Sequence, residues 1–257
     1  SDDVPNVYWN RGDGTFEEVT AKANIAGRNL DFSFGVAAGD FDNDGDPDLF
    51  VANAGPNALY RNNGDGTFTD VTAGSGLDGK AKDLLSVCAA FFDYDKDGLL
   101  DLVVSHYTLW SPRIDRRCPT PDGEIYCYPG LYKSVPHSLY RNLGNGKFED
   151  VSAKSGFDKV AGKGMGIAIA DFDDDGWPDV FIANDTEPNF LFINQGDGTF
   201  EEESWAWGVA YDEQDLAPFQ TGAPVLLYVG RFTAVKRLPL LIAAHARASE
   251  RLGTPTP

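Results

Sequence analysis

The feature that most restricts this chain is a double repeat. Four copies of one segment, Asn10-Arg11-Gly12-Asp13-Gly14-Thr15-Phe16, Asn62-Asn63-Gly64-Asp65-Gly66-Thr67-Phe68, Asn142-Leu143-Gly144-Asn145-Gly146-Lys147-Phe148 and Asn194-Gln195-Gly196-Asp197-Gly198-Thr199-Phe200, have first glycines 52, 80 and 52 residues apart. Apolar or aromatic residues precede each copy, and Glu/Asp-Val-Thr/Ser follows three of them. β-prone segments flanking Asp-Gly or Asn-Gly predict a hairpin, because tight turns need the positive φ that Gly and Asn adopt cheaply. A chain built this way is a row of similar units, none able to bury its apolar face alone.

A second motif is interleaved with the first. It reads Asp40-Phe-Asp-Asn-Asp-Gly-Asp-Pro-Asp48, Asp93-Tyr-Asp-Lys-Asp-Gly-Leu-Leu-Asp101 and Asp171-Phe-Asp-Asp-Asp-Gly-Trp-Pro-Asp179, with starts 53 and 78 residues apart. A small-residue strand precedes each copy and an apolar strand follows it, as in Leu49-Phe-Val-Ala and Val180-Phe-Ile-Ala. About 52 residues of short strands is the size of a four-stranded propeller blade. The second unit is longer by about 26 residues. Its excess, about 106–135, maps to a loop on one blade face and carries Cys118, Cys127, Trp110 and His106, with His137 just beyond. Both histidines read as loop residues, since no His/Cys spacing there matches a zinc ligand set.

Carboxylates at alternate positions followed by glycine aim several oxygens at one centre. Unpaired, they repel; a hard cation resolves the conflict, and Ca²⁺ accepts six to eight oxygens at flexible angles where Mg²⁺ demands a tight octahedron. An EF-hand is excluded because its twelfth residue should be Glu, and Val51, Val104 and Ile182 stand there. Side-chain ligands are therefore expected at positions 1, 3, 5 and 9: Asp40, Asp42, Asp44 and Asp48; Asp93, Asp95, Asp97 and Asp101; Asp171, Asp173, Asp175 and Asp179. A backbone carbonyl is expected from position 7, which explains why Asp46, Leu99 and Trp177 all occur there. The cofactor expected is Ca²⁺, about three ions. The competing reading is a solvated acidic turn, weakened by three copies in register with the hairpins.

Charge supports the cation reading. The net charge of −19 divides into 16 basic and 38 acidic side chains over residues 1–214, and five and two over residues 215–257. So acidic a chain repels nucleic acid and anionic membrane surfaces. No apolar run approaches the 18 or so residues that span a bilayer, and the acidic N-terminus shows no targeting segment, as in a mature form or internal fragment. With 17 Phe, 10 Tyr and 5 Trp the chain has the apolar content to fold.

The Gly-Val-Ala-Ala-Gly-Asp-Phe-Asp-Asn-Asp-Gly pattern resembles the FG-GAP (VCBS-type) repeat of integrin α-subunit propellers. Combined with Leu-Tyr-Arg-Asn-Asn-Gly-Asp-Gly-Thr-Phe-Thr-Asp-Val-Thr, it resembles the propellers of the cartilage acidic protein and ASPIC/UnbV type. The resemblance implies an extracellular or periplasmic Ca²⁺-binding β-propeller used for interaction or adhesion. It also implies a disulfide in the inserted loop, here Cys118 with Cys127. Eight intervening residues can close such a loop, worth roughly 2 to 3 kcal/mol in the chain-entropy model. Cys88 aligns with Gly35 and Gly166 and reads as a small buried residue. Arg11-Gly12-Asp13 spells an integrin-recognition tripeptide, but Asn63, Leu143 and Gln195 occupy the Arg position elsewhere, so hairpin chemistry accounts for it.

From Pro224 the grammar changes. Val225-Leu-Leu-Tyr-Val-Gly230, a basic loop and a helical pattern from Leu238 to Leu252 predict a β-loop-α unit. It resembles the opening of the nucleotide-sugar domain of GT-B glycosyltransferases, which implies Arg231 and Lys236 as diphosphate contacts. A stray amphipathic helix is the alternative, and a junction between unrelated pieces near Tyr211 to Leu216 explains the change.

The sequence thus predicts a mainly β fold: a partial β-propeller of three to four blades over residues 1–213, and a truncated βα unit over 214–257. Its expected role is non-enzymatic binding of a protein or glycan partner, with no nucleic acid and no membrane span. The alternative is a truncated glycosyltransferase fused to a propeller. No catalytic constellation is present in residues 1–212.

Overall fold

The computed structural model describes residues 6–25, 32–78, 83–121, 123–125 and 127–210. The expected unit at 214–257 lies outside these residues. Within them the chain is a partial β-propeller. A hairpin of β1 (Tyr8–Asn10) and β2 (Phe16–Glu18) precedes three four-stranded antiparallel blades, the first two linked into one eight-stranded sheet by a single pairing of Ala54 with Leu85. The first blade is β3 (Phe32–Gly39), β4 (Asp48–Ala54), β5 (Ala58–Asn62) and β6 (Phe68–Asp70). The second begins with β7 (Leu84–Phe92) and β8 (Asp101–Leu109). It then carries a small inserted hairpin, β9 (Cys118–Thr120) and β10 (Gly123–Ile125), before β11 (Ser138–Asn142) and β12 (Phe148–Asp150) complete it. The third is β13 (Gly164–Ala170), β14 (Asp179–Asn184), β15 (Phe190–Asn194) and β16 (Phe200–Glu202).

The outer hairpins share one register: Asn10 pairs with Phe16, Asn62 with Phe68, Asn142 with Phe148 and Asn194 with Phe200. The turn is longer than a tight Asp-Gly turn. In the first blade it runs over the five residues between Asn62 and Phe68, closed by the Asn63 N–H donating to the Thr67 carbonyl at 3.0 Å. Both its glycines, Gly64 and Gly66, have positive φ, at 73° and 85°. The Arg11-Gly12-Asp13 tripeptide sits in the equivalent turn, where Thr15 donates both its N–H and its hydroxyl to the Asp13 carboxylate.

The core lies between blades, which is why the second strands are apolar at consecutive positions. Phe50, Ala52 and Leu59 of the first blade pack with Leu102, Val104 and Phe148 of the second, while Val51 and Tyr60 face the first hairpin. Val103 and Leu139 pack in turn with Val180, Ile182 and Phe192. After each of the first three hairpins an apolar residue, Ile25, Leu77 or Phe157, wedges into the core. A hydroxyl pins each wedge segment: Thr20, Thr72 and Ser152 accept the N–H of Val7, Leu59 and Leu139. The innermost strands approach closely enough to require small residues. A Cβ at Gly35 would run into the Val87 carbonyl. Cys88 pairs with Ser105 where Gly35 and Gly166 pair with Ala52 and Ala183, and burial pushes its thiol pKa up.

The insertion corrects one sequence expectation. His106 lies within β8 and His137 beside β11, and each is 1% exposed rather than in a loop. In the first and third blades the Asn53 and Asn184 N–H groups donate to the Asn57 and Asn189 side chains. In the second, the His106 N–H donates to His137 Nδ1 at 3.2 Å, so an imidazole nitrogen replaces an amide oxygen. The insertion leaves the sheet after Leu109, with Cys118 and Cys127 bonded to each other. It is anchored where Thr108 donates to the Lys133 carbonyl and where buried Lys163 meets Ser134 and Glu187.

Two predictions follow from this packing. Phe157 stacks on Phe192 at 4.1 Å and meets Phe200 edge-on, so Phe157→Ala should lower unfolding free energy in urea by about 3 to 5 kcal/mol. Burial, reinforced by the neighbouring His106, pushes the His137 pKa down to about 3. The unfolded chain takes up that proton below about pH 6.5 and the folded one does not, so stability falls with pH by up to about 1.4 kcal/mol per unit. His137→Asn copies the other two blades and should remove this component between pH 7 and 5; an unchanged slope would exclude His137 as its source.

Candidate metal centres

Each acidic loop joins the first and second strands of a blade, and its shape is set by its own backbone. Positions 4 and 6 both adopt positive φ: 57° and 97° for Asn43 and Gly45, 57° and 87° for Lys96 and Gly98, 63° and 93° for Asp174 and Gly176. This coil turns the position-5 and position-6 N–H groups onto the position-1 carboxylate. Asp44 and Gly45 donate to Asp40, Asp97 and Gly98 to Asp93, and Asp175 and Gly176 to Asp171, at 2.8 to 3.1 Å.

Three donors converge in each loop. Ligand atoms of Asp40, Asp42 and Asp48, of Asp93, Asp95 and Asp101, and of Asp171, Asp173 and Asp179 lie within 4.8 Å of one another. These are positions 1, 3 and 9 of the expected sets. The position-5 carboxylates Asp44, Asp97 and Asp175 use one oxygen to accept the position-7 N–H of Asp46, Leu99 and Trp177.

The position-9 aspartates join loop to blade. Asp48, Asp101 and Asp179 are fully buried. Each accepts an N–H from position 2, from Phe41, Tyr94 or Phe172, and another from the hairpin residue Asn62, Asn142 or Asn194. Burial pushes Asp48 up to about 6 and Asp101 up to about 7, against the downward pull of those N–H groups, and raises Asp179 in the same direction. Asp42 and Asp173 are raised too, by burial first. One Asp42 oxygen is buried without a hydrogen-bond partner. Oxygen-only donors, buried negative charge met by neutral N–H groups, and an unpartnered carboxylate oxygen fit a hard divalent cation.

Sequence reasoning missed the hairpin asparagines. Beyond its contact with Asp101, Asn142 donates its side-chain amide to the carbonyls of Leu100 and of Phe41 in the preceding blade's loop. Asn194 does the same toward Pro178 and Tyr94. The signal was present, since asparagine opens all four hairpin copies, but its partners lie about 100 residues away. Neighbouring loops also touch directly: Asn43 donates to the Gly98 carbonyl, and the Lys96 ammonium sits 4.1 Å from the centre of the Trp177 ring.

A family model described as FG-GAP-like repeat matches residues 1–51, 40–104, 133–182 and 171–218. The chain belongs to the FG-GAP-like repeat family. Among curated relatives, cartilage acidic protein 1 of Mus musculus is 33% identical over 119 residues, covering 42% of this chain and 18% of that protein. The Xenopus tropicalis protein is 29% identical over 248 residues, covering 88% of this chain and 36% of its own length. The chain thus spans about a third or less of the curated relatives it matches. A solved Agrocybe aegerita lectin, described as recognising non-reducing terminal N-acetylglucosamine, overlaps 78% of this chain and 60% of its own at 20% identity, but with a TM-score of only 0.30. A likeness that loose assigns no function.

The bridging asparagines carry a direct prediction. Asn142→Ala takes a donor from the buried Phe41 carbonyl and from the partly buried Leu100 carbonyl, and its unfolding free energy in urea should fall by about 1 to 3 kcal/mol. Asn10→Ala, at an exposed copy whose side chain accepts only the Gly12 N–H, should fall by less than half as much.

Proposed function

We propose that this chain is a Ca²⁺-stabilised segment of a non-enzymatic propeller that presents its loops to a protein or glycan partner, outside the cytosol, in an extracellular or periplasmic setting. The observation that carries the reading is the threefold recurrence of one convergent donor set, with its position-9 carboxylate buried between the loop and its own blade's outer hairpin. Asp40, Asp42 and Asp48, with their counterparts in the other two loops, are the expected protein ligands. Asp44, Asp97, Asp175 and the position-7 carbonyls of Asp46, Leu99 and Trp177 are the proposed completing donors. The ion's contribution is electrostatic: it offsets carboxylates that burial otherwise drives toward protonation.

The inserted loop supports an interaction role. It is closed by a disulfide, which suits an oxidising compartment. It also exposes Ile114, Ile125, Tyr128 and Leu131. No helix among the described residues is long and apolar enough to cross a membrane. The transferase reading rests on Arg231 and Lys236, which lie outside the described residues, and the family match ends at residue 218.

Calorimetric titration tests the reading. Ca²⁺ added to the calcium-free chain should give a stoichiometry near three, falling by one in each of Asp42→Ala, Asp95→Ala and Asp173→Ala. Binding that is absent, or that none of the three substitutions alters, would rule it out.

A further inference from the structure

The three loops share a backbone but not their basic neighbours. The residue before the hairpin asparagine is Arg61 in the first blade, Arg141 in the second and Ile193 in the third. Arg141 lies across the second loop, with Nε 2.7 Å from an Asp95 oxygen and Nη2 3.0 Å from an Asp97 oxygen. Both carboxylates are mostly shielded, with side chains 17% and 29% exposed, so this pair is stronger than one in open solvent. Arg61 is itself exposed and acts on Asp42 through space, lowering its pKa as the weakest of several influences. The second loop also has four acidic residues where the others have five, and it carries Lys96.

Resting on the calcium reading above, we propose that Arg141 is an internal counter-cation of the second loop and grades the three sites. The second loop then binds Ca²⁺ more weakly than either of the other two. A cation entering the second loop must share Asp95, its position-3 donor, and Asp97, its position-5 donor, with a guanidinium that cannot shed its proton. The two positive charges compete for the same oxygens. Arginine is long and its head can turn to solvent, so affinity is reduced and not abolished. In the third blade Ile193 puts no charge in the place of Arg141, and the Lys96 ammonium of the second loop lies over the Trp177 ring, away from the convergent oxygens of Asp171, Asp173 and Asp179 that, among the described residues, no arginine crosses. The second blade, which carries the disulfide-closed insertion, is therefore the one whose loop depends least on calcium.

The test is a titration of the whole chain with Ca²⁺ alone, beside Arg141→Met and Arg141→Lys. In Arg141→Met the weakest of three sites should tighten roughly three- to tenfold while the other two keep their constants. Arg141→Lys keeps the charge and should remain close to the native chain. In EDTA, Arg141→Met should melt below the native chain, and added Ca²⁺ should close the gap. Terbium reads the order without any change at Arg141: emission sensitised through Trp177, a signal that Trp177→Phe must lose, should saturate before the calorimetric end point. Three sites with unchanged or weakened constants in Arg141→Met, or terbium emission that saturates last, overturn the grading while the calcium reading stands. Absence of binding in every chain, native included, removes the calcium reading and the grading with it.

Discussion

Everything in this propeller turns on a buried carboxylate that, among the described residues, meets backbone N–H groups and no cationic side chain. Asp48, Asp101 and Asp179 each hold two backbone N–H groups, one from the acidic loop and one from the outer hairpin. Those bonds fix the loop against the blade, and burial raises the carboxyl pKa in all three. A fold that places the same charge in the same buried position three times is stabilised by an external source of positive charge there. The convergent neighbours at positions 1 and 3 offer a divalent cation oxygens and little else.

The same junctions hold blade to blade. Packing between blades is apolar and non-directional, made by residues such as Phe50, Leu102 and Val180. Direction comes from polar contacts near the loops: Asn142 to Phe41, Asn194 to Tyr94, Asn43 to Gly98, and Lys96 over Trp177. An ion bound in one of these loops would therefore bear on the seating of the next blade. The inserted hairpin, anchored through Lys133, Ser134 and Lys163, extends from a blade that packs against a neighbour on each side.

Much of this was legible in the sequence because its causes are local. The 52-residue spacing, the Asn-x-Gly-x-Gly hairpins and the Asp-x-Asp-x-Asp-Gly loops encode their geometry within a few residues, and strand order follows from repetition. What escaped is long-range. Asn142 reads as a turn residue until Phe41 is seen beside it. His137 was hidden because the insertion breaks the repeat just where His replaces the asparagine of the other blades. The division of labour within the loops was also invisible, since positions 3 and 5 are both aspartate and only backbone geometry turns one inward and the other onto the position-7 N–H.

The most direct test is the thermal unfolding midpoint at neutral pH as free Ca²⁺ is raised from an EDTA-treated baseline. If buried carboxylates are held ionised by bound calcium, the midpoint must climb with concentration, each site adding roughly 2.7 kcal/mol once free Ca²⁺ is a hundred times its dissociation constant. A midpoint that is the same in EDTA and in excess Ca²⁺ would contradict the account.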